Sequence, residues 1–255
     1  MDHSTQSTLV DNTDHIVARF NHVNKTFHTP ASDVNVLNDI SFVIPKGSFT
    51  ILHGPSGSGK STVLNTLIGL EPPTSGEILI NGERVYDLTA DQRAHFRNNT
   101  IGMVHQDNYW VNSLSAVENV ALPLLLAGWN KRKAMFLAQQ SILRVGLEKF
   151  AKYNPSVLSG GQQQRISFAR ATVIKPKLLV ADEPTGNLDS LSGQLIIKLL
   201  QDFNTTHSAT VVLVTHNDEL LGISNNIISI KDGHIDSDKT TLRNTPKSPK
   251  RRLVL

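Results

Sequence analysis

The sequence predicts an α/β domain with a mainly parallel sheet, an N-terminal antiparallel β-layer and an inserted α-helical lobe. Three observations carry that reading. The opening segment is rich in β-formers, strands and helices alternate towards the end of the chain, and a stretch of helical periodicity separates the two regions. With 255 residues, 39% of them apolar, the chain can bury one large core.

Residues 16–23 (IVARFNHV), 34–44 (VNVLNDISFVI) and 48–53 (SFTILH) are enriched in β-branched and aromatic side chains, and Pro45-Lys46-Gly47 makes a turn between the last two. Residues 61–70 read as a helix. Asn81-Gly82, between apolar 76–80 and 84–85, is a hairpin signal because both turn positions favour positive φ. A short strand is expected at 100–104. From 107 to 152 the apolar spacing becomes helical, with segments at 115–128 and 130–145, which predicts the inserted lobe over about 107–170. A helix is also expected at 162–171. Alternation then resumes: strand 177–181, helix 191–206, strand 209–214, a short helix at 218–221, and strands 226–231 and 234–236 around Asp232-Gly233.

Six of the 25 Lys and Arg residues follow Asp238 and none of the 22 acids does, so a net charge of +3 divides into a body of −3 and a basic tail. The expected organisation is a disordered polar arm (1–14), one body (15–238) and the tail (239–255). A slightly acidic body argues against a broad nucleic-acid footprint. The tail reads either as a solvated terminus or as a contact for anionic lipid head groups. The absence of cysteine excludes disulfides and thiolate metal sites and fits a reducing compartment. Residues 117–129 (VENVALPLLLAGW) are interrupted by Glu118, Asn119 and Pro123 and fall short of the ~20 residues a membrane span needs. Residues 1–15 lack the basic start and apolar core of a secretory signal.

The segment from Gly54 to Ser61 reads G-P-S-G-S-G-K-S, matching G-x-x-x-x-G-K-[ST] between an apolar strand and a helix. Gly54, Pro55, Ser56, Gly57, Ser58 and Gly59 form a loop whose backbone N–H groups can point at phosphate oxygens, and the following helix start adds positive potential. Lys60 reaches the β and γ phosphates, Ser61 offers its hydroxyl to Mg²⁺, and Thr62 continues the cradle. A phosphate-loop core that binds a nucleoside triphosphate with Mg²⁺ follows. The apolar run 178–181 ends in Asp182-Glu183. Asp182 suits a carboxylate that holds Mg²⁺ through its water shell, and Glu183, one residue beyond the strand, suits a base that polarises the attacking water. Further on, Ser159, Gly160 and Gly161 precede the helix expected from Gln162 onward, a second arrangement suited to anions.

With GPSGSGKS, Gln106, LSGGQ at 158–162, LLVADEP and His216 in this order, the chain resembles the ATP-binding-cassette ATPases from about Ile16 to Asp236. That resemblance implies that Ser159, Gly160, Gly161 and Gln162 grip the ATP held by the phosphate loop of a second copy, giving a homodimer around two ATPs. It implies that Asp189 lies in the loop coupling the two sites, a role compatible with capping the next helix. Gln106 would sense Mg²⁺ and the attacking water, and His216 would contact the γ phosphate; a histidine satisfied near a helix start is the plainer alternative. Phe27 stands where the family commonly has a tyrosine that stacks on adenine, although a core aromatic would look the same in sequence.

The stretches ENVALPLLLAG and DEPTGNLD resemble the branch of lipoprotein-releasing, macrolide-exporting and cell-division ATPases. The resemblance implies an ATPase subunit at the cytoplasmic face of the cell membrane, peripheral to a separate transmembrane permease. The alternative within the same chemistry is an ATPase that regulates an extracytoplasmic factor mechanically, without transport. LPLLLAG either receives a coupling helix of the membrane partner or packs within the lobe. Two departures stand out: His105 replaces a usual phenylalanine before Gln106, and the basic tail is an extension.

Overall fold

The computed structural model describes residues 15–240; the arm expected at 1–14 and the tail from 241 to 255 lie outside the described residues. Two sheets form because the chain contains two kinds of strand. β1 (Ile16–His28), β2 (Asp33–Pro45), β4 (Ser75–Ile80) and β5 (Glu83–Arg84) alternate between buried and exposed positions over much of their length and pair antiparallel in the order β2-β1-β4-β5. β3 (Phe49–His53), β6 (Ile101–Val104), β7 (Leu178–Asp182) and β8 (Thr210–Thr215) are nearly continuous apolar runs, and every residue of β8 is buried. Together with β9 (Asn226–Lys231) and β10 (His234–Asp238) they form a six-stranded sheet, β10-β9-β3-β8-β7-β6, parallel except for the β9–β10 pair.

The larger sheet is covered on both faces, and its side chains sort by alternation. Leu179 and Ala181 of β7 join one core with α3 (Ala116–Leu126), α4 (Lys131–Arg144), α5 (Gly160–Thr172) and α6 (Ser190–His207). Leu178 and Val180 point the other way, into a core shared with α1 (Lys60–Leu67) and the antiparallel sheet. The three helices α3, α4 and α5 pack on one another, and α5 also rests on β6.

Several elements depart from the sequence reading. Helix α2 (Ala90–Thr100) had no counterpart there: none of its residues is buried, so it has no apolar stripe, and its one signal is a reciprocal cap between Thr89 and Gln92. β1 runs five residues past Val23 because register shifts near His22 (φ 50°) and between Val23 and Thr26 break the apolar alternation without ending the pairing. The hairpin has positive φ at Asn81 (51°) and Gly82 (82°), but its second strand is Glu83–Arg84, and Val85 begins a 3₁₀ turn, Val85–Asp87. The short helix after His216 is a 3₁₀ helix, Asp218–Ile223.

Where α5 crosses β6 there is no room for a side chain: a Cβ on Gly102 would meet the Ala171 carbonyl oxygen at 2.2 Å and Pro176 at 2.8 Å. Gly102→Ala is therefore expected to lower unfolding free energy by about 1–3 kcal/mol, read as a shifted midpoint in urea denaturation.

Candidate functional site

β3 delivers the chain into the loop from Gly54 to Gly59, and two glycines there are dictated by geometry. A Cβ on Gly54 would lie 2.1 Å from the Ile230 carbonyl oxygen of β9. Gly59, at φ 102°, is the N-cap of α1 and offers no side chain to the helix start, leaving those N–H groups to the cleft. Lys60 is buried, and its Nζ donates to the carbonyls of Gly54 and Pro55 at 2.8 Å each, folding the cation back over its own loop.

A cleft of about 750 Å³ opens over this loop. Pro55, Ser56, Gly57, Gly59, Lys60, Ser61 and Thr62 line it on one side, and Gln106, Asp182, Glu183 and His216 on the other. Gly54 and Ser58 do not line it; they hold the loop from behind, Ser58 through its carbonyl, which accepts from the Gly233 N–H at 3.1 Å. Burial, and then the neighbouring Glu183, push the Asp182 carboxyl above the usual carboxylate range, while Lys60 pulls it back. Glu183 adopts φ 44°, left-handed backbone that is costly for a residue with a Cβ. Its N–H donates to the Val214 carbonyl at 3.0 Å, and its Oε1 lies 2.7 Å from His216 Nδ1. Thus β7 and β8, adjacent in the sheet, bring an acid and a histidine 33 residues apart into direct contact. Gly186, whose N–H donates to the Glu183 carbonyl, leaves space for the Gln106 amide: a Cβ there would come within 3.2 Å of Nε2.

The oxygen donors fit Mg²⁺. A Ser61 hydroxyl, the Gln106 amide and the Asp182 carboxylate line the same cleft, hard oxygen donors of the kind that Mg²⁺ takes.

The second arrangement expected to suit anions lies outside this cleft. Ser159 caps α5: its Oγ accepts from the Gln162 N–H at 3.3 Å and its N–H donates to Gln162 Oε1 at 3.0 Å. Gly160 and Gly161 form the first turn, and none of these four residues lines the cleft. A Cβ on Gly161 would meet Ser192 Oγ at 2.4 Å, so this turn abuts the start of α6. There Asp189 accepts from the Ser192 N–H at 3.0 Å, and such bonds hold its carboxyl below the usual range. Asp189 also stands outside the cleft. Phe27, on β1, is 37% exposed and no core residue; it pairs with Val34, two positions from Val36, which does line the cleft.

The sequence reading missed how the loop after Gln106 is fastened to α5. Gln164, 2% exposed, donates through Nε2 to the His105 carbonyl at 2.9 Å. The Trp110 indole donates to Gln163 Oε1 at 2.9 Å. Arg170 donates to the carbonyls of Asn108 (2.5 Å) and Tyr109 (3.2 Å), with its guanidinium 4.6 Å from the Trp110 ring centre, and burial brings its pKa down to about 10. Burial and then Arg170 lower the His105 pKa, favouring neutral imidazole. The only sequence signal was a run of three glutamines, and nothing in it says which one faces inward.

Comparisons with known proteins follow from this geometry. Residues 37–186 match the family model described as ABC transporter. The chain is 38% identical to the lipoprotein-releasing system ATP-binding protein LolD of Shewanella denitrificans, over 86% of this chain and 94% of that one. It is 41% identical to the macrolide export ATP-binding/permease protein MacB of Syntrophobacter fumaroxidans, over 89% of this chain but only 32% of that longer one. Among solved structures, the dimeric post-hydrolysis state of the cassette MJ0796 with ADP and Pi superposes with a TM-score of 0.82, at 36% identity, covering 89% of this chain and all of that one.

Gln164→Met should separate the buried fastening from the exposed ones. It leaves the His105 carbonyl without its partner, so a loss of about 1–3 kcal/mol in urea unfolding is expected. Gln163→Ala, nearer the surface, should cost less in the same measurement.

Proposed function

This chain belongs to the ABC transporter family, and on that premise we propose how its residues divide the work of an ATPase subunit. The observation that carries the reading is the hydrogen-bonded Glu183–His216 pair at the edge of a cleft that also holds Lys60, Ser61 and Asp182. The loop N–H groups and Lys60 bind the phosphates of ATP, with Lys60 exchanging loop carbonyls for β and γ oxygens. Ser61, Gln106 and Asp182 would hold Mg²⁺, which, when bound, would neutralise charge on the phosphates. Glu183 accepts a proton from water as the water oxygen attacks the γ phosphorus in line. The bond to the β–γ bridging oxygen breaks, releasing ADP and phosphate. His216, held by Glu183, is placed to donate to a γ oxygen, and Phe27 stacks on the base.

Burial and the neighbouring Glu183 raise the Asp182 pKa, which disfavours its charged form and suits a group that gains a cation as partner. The outward placement of Ser159, Gly160, Gly161 and Gln162 supports their use on the ATP of a second copy, with Asp189 beside the same junction. The dimeric MJ0796 cassette offers a precedent for two such chains together. The wider reading places this subunit, with its body at 15–238 and its lobe at 107–170, on the cytoplasmic face of a membrane, driving a separate permease. Among the described residues no helix is long and apolar enough to cross a bilayer. The relative named as an ATP-binding/permease protein, of which this chain spans 32%, joins both parts in one name. The basic tail adds attraction to anionic lipid.

Glu183→Gln keeps size and hydrogen bonding but removes the base. Steady-state ATP hydrolysis should fall by about two orders of magnitude or more, and a dimer retaining ATP should accumulate on size-exclusion chromatography. An unchanged rate without a trapped dimer would remove Glu183 from this role. Ser159→Arg, mixed with a Lys60→Ala copy, tests the shared site. The mixed dimer then has one site lacking Lys60 and facing the arginine, and one with Lys60 facing an intact serine. Hydrolysis lost in each variant alone should be recovered on mixing, and each variant monomer should bind ATP as its own loop dictates; no recovery on mixing would count against the shared site.

A further inference from the structure

We propose that Lys25 is a positioning residue for the base-stacking ring, holding Phe27 from one face so that a nucleobase has the other; this rests on the nucleotide reading above. The register shift between Lys25 and Thr26 breaks the usual alternation on β1, and the two side chains come together there. The Lys25 ammonium lies 4.7 Å from the centre of the Phe27 ring, within the ~6 Å range of cation–π attraction.

This cation does not roam. Lys25 is 8% exposed, its Nζ donates to the Pro72 carbonyl at 2.8 Å, and it pairs with Glu71 at 2.5 Å. A buried ammonium needs such partners, and carboxylate, carbonyl and ring together supply them. Glu71 is itself tied to α1 through its N–H, which donates to the Asn65 carbonyl at 3.2 Å. The helix that starts at the phosphate loop therefore anchors, at its far end, the support of the ring. Phe27 differs in this from Phe20 and Phe42, which stack on each other in the core with centres 4.4 Å apart. Its ring is polarised from one side by a fixed charge, and with the residue 37% exposed it can meet a flat π system, which favours electron-rich bases.

The test uses the full chain and two probes, ATP and inorganic tripolyphosphate, the second lacking a base. For Lys25→Met, KM for ATP should rise about two- to five-fold, the span of an exposed cation–π contact, with kcat unchanged. Inhibition by tripolyphosphate should not move, and Lys25→Arg should restore the parent KM. In a Phe27→Leu background, Lys25→Met should add nothing. If Lys25→Met proves poorly folded, Glu71→Gln loosens the same ammonium and should raise KM for ATP in the same direction by less, again without affecting tripolyphosphate. Equal changes for ATP and tripolyphosphate, or effects that multiply with Phe27→Leu, would overturn the proposal in favour of a purely structural lysine. So would a silent Lys25→Met beside an impaired Phe27→Leu. If Phe27→Leu itself leaves KM for ATP unchanged, the base-stacking reading fails first.

Discussion

Glu183 holds left-handed backbone at the end of β7, a conformation that costs a residue with a Cβ about 1–3 kcal/mol, and the sheet supplies what keeps it there. The Val214 carbonyl of β8 takes its N–H, and the Gly186 N–H takes its carbonyl. From that one kinked residue the rest of the cleft takes its positions. The carboxylate swings towards His216, Asp182 stays one residue back facing Lys60, and the turn that follows leaves a gap into which the Gln106 amide fits against Gly186. Parallel strands make this possible, because they end together and present their carboxyl ends on one side of the sheet.

Around this fixed centre, α5 acts as a strut. Its first turn is capped by Ser159 and built on Gly160 and Gly161, and its body is bonded to the loop from His105 to Trp110, which includes the cleft residue Gln106. A shift of that loop on contact with nucleotide would be carried by hydrogen bonds and a stacked guanidinium into the helix, not absorbed by soft packing. The same helix leaves no clearance over Gly102 and none between Gly161 and Ser192, so its path across the sheet and past α6 is narrowly defined.

The phosphate loop, Asp182-Glu183 and the alternation of strands and helices were legible in the sequence because each is a local pattern with a local cause: glycines at a tight loop, an acid after an apolar run, β-branched residues in buried strands. Helix α2 was not, since its residues are all at least partly exposed and leave no periodicity to read, although Thr89 and Gln92 carried the capping signal. The far end of β1 was hidden by register shifts that scramble alternation. Contacts made by tertiary placement were out of reach altogether. Nothing in HQDNYW or QQQRISFAR says that Gln164 bonds to His105 or that Arg170 covers Trp110. Nor does the motif order alone say that Ser159 to Gln162 lie outside the cleft lined by the phosphate loop.

The cap on α5 has a chemical consequence at Ser159. Its hydroxyl oxygen accepts the Gln162 N–H, yet an acceptor of that kind still owns a proton that it can give away. Aspartate would cap the helix comparably, as it does at the start of α6, but it has no such proton and brings a full negative charge. Two helix starts in one chain thus use different caps for different neighbours. Serine caps its helix as an amphoteric group, an acceptor that keeps a proton to give, while the aspartate at 189 caps as a charged acceptor alone.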